Sequence, residues 1–337
     1  MQKDKVKKII SDSVRVVAFS LVFVLILTFL SNSVFSGANV AKHSERLADS
    51  YAFKRDPEQT TDVVFLGNSD AYSAFNPIEM WRNNGITSTV CASAYQNLVE
   101  CQKALEAMLQ TQSPKLVVLE VDLLYYKKEM ETDKAKNNSK LAYFFDNTVK
   151  PDDFENYITG HISMFTYHNV WKDLEKDERG KFTHGYRCYL KKTTVESKQY
   201  MIETDDTETP TENNLSLLSD FMCFCKKNNL PVLFTEVLTM TSWSTPRHNG
   251  IQKLADKYGV DFIDYNLLYD ELGVNMAYAF RDNGNHVNYA TACKITDYMG
   301  DYIKENYGIE DHRNDAVYAD YWNEELKCFD ETYLKKS

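Results

Sequence analysis

A chain of 337 residues with a formal net charge of −11 lacks the overall basic charge that neutralises phosphates, which argues against nucleic acid as a partner. Its 43% hydrophobic residues suffice for a sizeable core, and the length admits one elaborated α/β domain. The seven cysteines show no CxxC pair or Cys/His ligand spacing, so they are read as mostly buried free thiols, with neither a disulfide framework nor a zinc site expected.

In chain order, the first forty residues set the compartment. Val16 to Leu30 is apolar and free of charge, and Ser31 to Phe35 extends it to bilayer-spanning length of about 20 residues. Lys3, Lys5, Lys7, Lys8 and Arg15 precede it. The positive-inside rule then predicts a cytoplasmic segment 1–15, a transmembrane anchor 16–36 and everything later outside the cytoplasm. A cleaved signal peptide is the rival, with Ser31 and Ser33 as small residues near a cleavage site. Residues 37–60, polar and charged, read as a stalk.

A single-pass chain with an α/β domain at 61–310 is expected to follow. Strands are predicted at Asp62–Gly67, Thr87–Cys91, Leu116–Val121, Pro231–Val237 and Val260–Asp264, the first a short apolar run ending in glycine. Helices are predicted at 76–84, 98–110, 215–228, 249–258 and 289–307, the second with Leu98, Cys101, Leu105 and Met108 on one face. Such alternation implies a three-layer α/β/α, flavodoxin-like domain around a five-stranded parallel sheet. The segment 127–212 breaks the pattern with mixed charge and aromatics and reads as a largely helical insertion; 311–337 reads as a C-terminal tail.

Two loops carry the chemistry. Phe65-Leu-Gly-Asn-Ser69-Asp70 places a serine hydroxyl at the carboxyl edge of the first strand, where ligands of parallel sheets sit. Arg281-Asp282-Asn-Gly-Asn-His286-Val-Asn288 places an aspartate close before a histidine, just ahead of the last helix. An aspartate that orients an imidazole, and an imidazole that takes a proton from a serine, make an acyl-transfer site. Glu120 and Asp122 follow the third strand as paired acids, one expected at a helix N-terminus or against the loop of Ser69. Trp243 and His248 follow the fourth strand and are candidate substrate contacts. The loops show no His/Asp ligand cluster, so no metal or other cofactor is expected.

Serine after the first strand with Asp/His before the last helix resembles the SGNH/GDSL hydrolase family over about residues 60–307, the insertion excepted. The branch it looks most similar to is membrane-anchored, comprising teichoic-acid D-alanine transfer proteins and cell-surface glycan O-acetyl esterases. The resemblance implies Ser69 as nucleophile, His286 as base and then acid, Asp282 as its orienting carboxylate, and the Ser69 N–H as an oxyanion donor. It implies substrate contacts from Asn68, Ser93, Trp243, His248 and Asn288. The expected function is an extracytoplasmic serine esterase or O-acyltransferase acting on a cell-surface polysaccharide or teichoic-acid-like polymer, with a membrane-bound O-acyltransferase as a further partner. The alternative is a catalytically degenerate member that only binds the polymer or that partner.

Three features depart from the family pattern. Asp282 stands four residues before His286, and Asn283 takes the usual position. Ala92-Ser93-Ala94 replaces the glycine after strand two, and Glu120-Val-Asp122 replaces the asparagine after strand three. Asp70, a negative charge, directly follows the nucleophile.

Overall fold

The computed structural model describes residues 2–35, 50–126, 164, 183–196 and 199–335. The chain forms two compact units, one from Met1–Ser44 with Lys140–Asp177 and one from Glu45–Ser139 with Glu178–Ser337. In the first, helix α1 runs Gln2–Asn32. Its stretch Ile10–Ser31, 22 residues of mean hydropathy 2.5, is long and apolar enough to cross a membrane. Phe19, Leu25 and Phe29 stand exposed on it.

The second unit is built on strands β1 (Val63–Gly67), β2 (Ser88–Ala92), β3 (Leu116–Glu120), β4 (Val232–Glu236) and β5 (Phe262–Asp264). All neighbours pair in parallel in the order β2-β1-β3-β4-β5. The five-stranded parallel sheet expected from the strand–helix alternation is therefore present. The strands are apolar runs because both faces are covered: Val63 and Phe65 enter one core with Leu116, Val118 and Leu233, while Val64, Leu66, Val117 and Leu119 are equally buried on the alternate positions.

Helices α2 (Ser69–Ala74) and α3 (Pro77–Asn84) follow β1, and α4 (Leu98–Met108) follows β2. Helix α5 (Glu212–Lys227) precedes β4, α6 (Thr245–Tyr258) links β4 to β5, and α7 (Tyr289–Tyr307) packs on α2 and α3. Each boundary has a local cause. Asn76, Asn97 and Asn288 cap α3, α4 and α7 through their side chains, and Gly85, Gly259 and Gly308 end α3, α6 and α7 at positive φ.

The structure redraws several edges. Helix α6 starts four residues before the predicted 249, with Pro246 in its first turn. The presumptive tail 311–337 contains helix α8 (Ala316–Phe329), whose Trp322 and Phe329 are buried in the core beside α3. Of the presumptive stalk 37–60, residues 36–49 lie outside the described set, whereas Ala52 and Phe53 are buried and Asp56 binds the buried His184 at 2.8 Å. The expected largely helical insertion falls mostly outside the described residues. Within it, 183–196 and 199–211 run as extended chain and turns, with one bridge between Thr193 and Phe280. Three cysteines, Cys91, Cys101 and Cys225, are buried, but Cys223 and Cys328 are exposed, so the thiols are less buried than expected.

Candidate active site

Strand order reverses direction at β1, which lies between β2 and β3, and the carboxyl ends of these strands form the crevice where parallel sheets bind ligands. Gly67 closes β1 there. A Cβ on it would stand 2.7 Å from Glu120 Cβ and 2.8 Å from Ala71 Cβ, so only glycine lets β1, β3 and α2 approach so closely. Asn68 caps α2, its Oδ1 accepting the Asp70 N–H at 2.7 Å, and its own N–H donates to Glu120 Oε2 at 3.2 Å. Glu120 thus braces the loop of Ser69, one of the two places expected for an acid after β3. Ser69 becomes the first residue of α2, and its N–H is among those that a helix leaves without an intrahelical acceptor.

The histidine arrives on a tight ribbon. Phe280 bridges Val287, Arg281 N–H donates to His286 O at 3.0 Å, and Asn288 then caps α7. Between them the chain turns at Gly284, φ +95°, and Asp282 Oδ1 accepts the N–H groups of both Asn285 and His286 at 3.0 Å. This turn absorbs the additional residue between aspartate and histidine. Asp282, not Asn283, faces the ring: its Oδ2 lies 2.5 Å from His286 Nδ1, and His286 Nε2 lies 2.9 Å from Ser69 Oγ. The ribbon is tied to the loop after β4 by Met240 N–H to Gly284 O at 2.7 Å and Thr241 Oγ1 to Asn285 Oδ1 at 2.5 Å.

Electrostatics poise the ring as a base. Burial pushes His286 below its ordinary pKa, Asp282 opposes that through its hydrogen bond, and the nearby Arg281 cation adds to the lowering. Burial alone would raise Asp282, but the hydrogen bonds from the His286 ring and from the backbone N–H groups of His286 and Asn285 hold it below the usual carboxylate range. At neutral pH the ring is neutral. With Nδ1–H directed at Asp282, its Nε2 lone pair faces the serine hydroxyl.

Four of the five predicted substrate contacts also hydrogen-bond within the domain. Trp243 is buried and its Nε1–H donates to Asp264 Oδ2 at 2.8 Å; His248 Nδ1 bonds the same oxygen at 2.8 Å. Asn288 is buried and fully engaged, donating to Tyr278 O at 2.7 Å and capping Thr291 N–H. Asn68 and Ser93 are buried too. Polar residues at the carboxyl edge of a sheet are as useful for capping as for binding; Asn68, Ser93, Trp243 and Asn288 are buried, whereas the His248 side chain is 20% exposed.

Sequence reasoning missed two features. Arg281 stacks on Tyr189 with its guanidinium carbon 3.7 Å from the ring centre, a pairing to the 183–196 segment that no periodicity announces. Asp70, Glu120 and Asp122 also converge, each offering an oxygen within 4.8 Å of the other two, contrary to the expected absence of a ligand cluster. Burial, then the Asp122 and Asp282 charges, raise Asp70 well above the ordinary value; burial raises Asp122 to about 6, against the lowering effect of Arg247.

No family model matches the chain, and no curated protein matches it. Among solved structures it is similar to a candidate acylhydrolase from Bacteroides fragilis, at 13% identity and TM-score 0.39, covering 79% of this chain and 98% of that one. It is similar to a GDSL-like lipase from Bacteroides thetaiotaomicron, at 14% identity and TM-score 0.36, covering 80% and 98%. A gut microbial diltiazem-metabolizing enzyme shares 11% identity at TM-score 0.27, covering 74% and 47%. These likenesses are distant, and the chemistry of the site rests on its own atoms.

Proposed function

We propose that the chain is a serine esterase or O-acyltransferase of the SGNH/GDSL type, with Ser69 as nucleophile, His286 as general base and Asp282 as the orienting carboxylate. The observation that carries this reading is the continuous contact from Ser69 Oγ to His286 Nε2 and from His286 Nδ1 to Asp282. Ser69 Oγ attacks an ester carbonyl as His286 Nε2 takes its proton. Asp282 stabilises the imidazolium, and the Ser69 N–H donates to the carbonyl oxygen as it gains charge. His286 then protonates the departing alkoxide, leaving an acyl-serine. Water or a polymer hydroxyl, deprotonated by His286, attacks that acyl-serine and releases Ser69.

We place this chemistry outside the cytoplasm, on acyl groups of a cell-surface polysaccharide or teichoic-acid-like polymer. The basic residues in the first half of α1 and its length of apolar surface support a bilayer anchor with a cytoplasmic N-terminus. A tether holds the site within reach of the envelope, and a membrane-bound O-acyltransferase fits as the source of acyl groups. One observation favours the alternative, a polymer-binding protein without turnover: carboxylates of Asp70 and Glu120 pack behind the loop of Ser69, where the family carries neutral donors.

The test compares wild type with Ser69→Ala, His286→Ala and Asp282→Asn for fluorophosphonate labelling and p-nitrophenyl acetate hydrolysis. Ser69→Ala and His286→Ala are expected to lose labelling, and all three to lose roughly a thousandfold or more of turnover. A folded wild type that neither labels nor turns over would establish the binding reading instead.

A further inference from the structure

Asp70, Glu120 and Asp122 are 3, 0 and 3% exposed, and their carboxylate oxygens crowd together. Like charges this close are costly in a buried place unless something positive lies among them. Arg247 supplies part of it, its Nη1 donating to Asp122 Oδ1 at 3.3 Å, but its Nε is committed to Glu208 at 3.1 Å. Arg281 acts on Asp70 from a distance, and Asp282 and Glu236 add further negative charge around the group.

Two observations point to a ligand. The first is Asp70 itself: Oδ1, sealed from solvent, has no hydrogen-bond partner among the described residues, although the side chain is aimed into the cluster. Second, the donors on Glu120 favour its ionised form against burial and the Asp122 and Asp70 charges, which together raise it well above the ordinary value. Oε1 accepts the Asp122 N–H at 2.7 Å and Oε2 accepts the Asn68 N–H at 3.2 Å, one donor on each oxygen, whereas a protonated acid would turn its O–H against one of them.

We propose that Asp70, Glu120 and Asp122 bind a hard divalent cation of the calcium or magnesium class. The donor set is all oxygen, which suits these ions and not the softer zinc or copper. Oxygens at roughly 2.1–2.5 Å from one ion lie up to about 5 Å apart, and the three carboxylates each offer an oxygen within that reach of the other two. Such an ion would tie the end of β3 to the first turn of α2 and so hold Ser69 in place. This proposal stands apart from the esterase reading, since a polymer-binding protein would need the same loop held.

The experiment uses the full chain in detergent, stripped with EDTA and desalted, then titrated separately with calcium, magnesium and manganese chloride. At least one is expected to raise the unfolding temperature saturably and to bind with a stoichiometry near one by calorimetry. Glu120→Gln and, as a second variant, Asp70→Asn should weaken binding at least tenfold. Metal-free Asp70→Asn should unfold no lower than metal-free wild type, because an amide replaces a buried charge, whereas Glu120→Gln also turns an amide N–H against one of its two backbone donors. No response to any of the three cations overturns the proposal, as does an equal response in wild type and both variants, which marks surface binding. Neither readout depends on turnover, so failure here and failure of the esterase reading are separable.

Discussion

His286 concentrates the chemistry in one ring whose charge depends on pH. Because burial depresses it, the form that accepts the serine proton persists below the ordinary histidine value of about 6.5. Hydrolysis of p-nitrophenyl acetate should therefore be level near neutrality and fall on acidification with a midpoint below that value. Arg281 contributes to the depression, so Arg281→Gln should move the acid limb upward; a limb that stays put or moves down would disconnect Arg281 from the ring. The stability sign follows the same logic. The unfolded ring takes its proton first as pH drops through about 6.5, so acidification favours the unfolded chain until the folded ring also titrates. At this scale the sequence named Ser69 and His286 but left Asp282 and Asn283 open. The choice is made by Gly284 at φ +95° and by two backbone N–H groups on Asp282, and none of these leaves a trace in residue order.

At the scale of elements, the closeness of β1, β3 and α2 around Gly67 makes a sharp forecast. Gly67→Ala inserts a methyl into space held by Glu120 and Ala71, and should cost about 1–3 kcal/mol. Urea unfolding reads the loss directly. Slower fluorophosphonate labelling of the folded variant would show that the loop of Ser69 shifts with it, and a variant as stable as wild type would contradict the packing. Strands were legible because burial on both faces makes them short apolar runs, such as Leu116-Val-Val-Leu119. Helix α2 was not: six residues give too few turns for a period to emerge. For the five residues expected at the substrate, residue type alone leaves two roles open. Cap and ligand contact ask for the same side chains at the same edge, and only the partners, such as Asp264 for Trp243 and His248, tell them apart.

At the scale of the second unit, helix α8 completes the core instead of trailing from it. Trp322 is fully buried against Trp81, ring centres 5.7 Å apart, and against His184 at 4.1 Å. Trp322→Ala should cost about 3–5 kcal/mol in urea unfolding, a loss that a free tail could not produce. Trp322 and Phe329 are the residues it buries, too few to mark it as core in the sequence, and so the segment read as tail.

The Trp81 side chain donates Nε1–H to Asn323 Oδ1 across 242 residues of chain. A polypeptide emerging N-terminus first therefore exposes Trp81 and its apolar surroundings long before the partner arrives. Until then that flank of the sheet is a sticky, unfinished surface, the kind that chaperones hold and that aggregates when they do not. During synthesis α8 can close over α3 only after residue 322 has emerged, so a chain halted earlier leaves that side of the unit open.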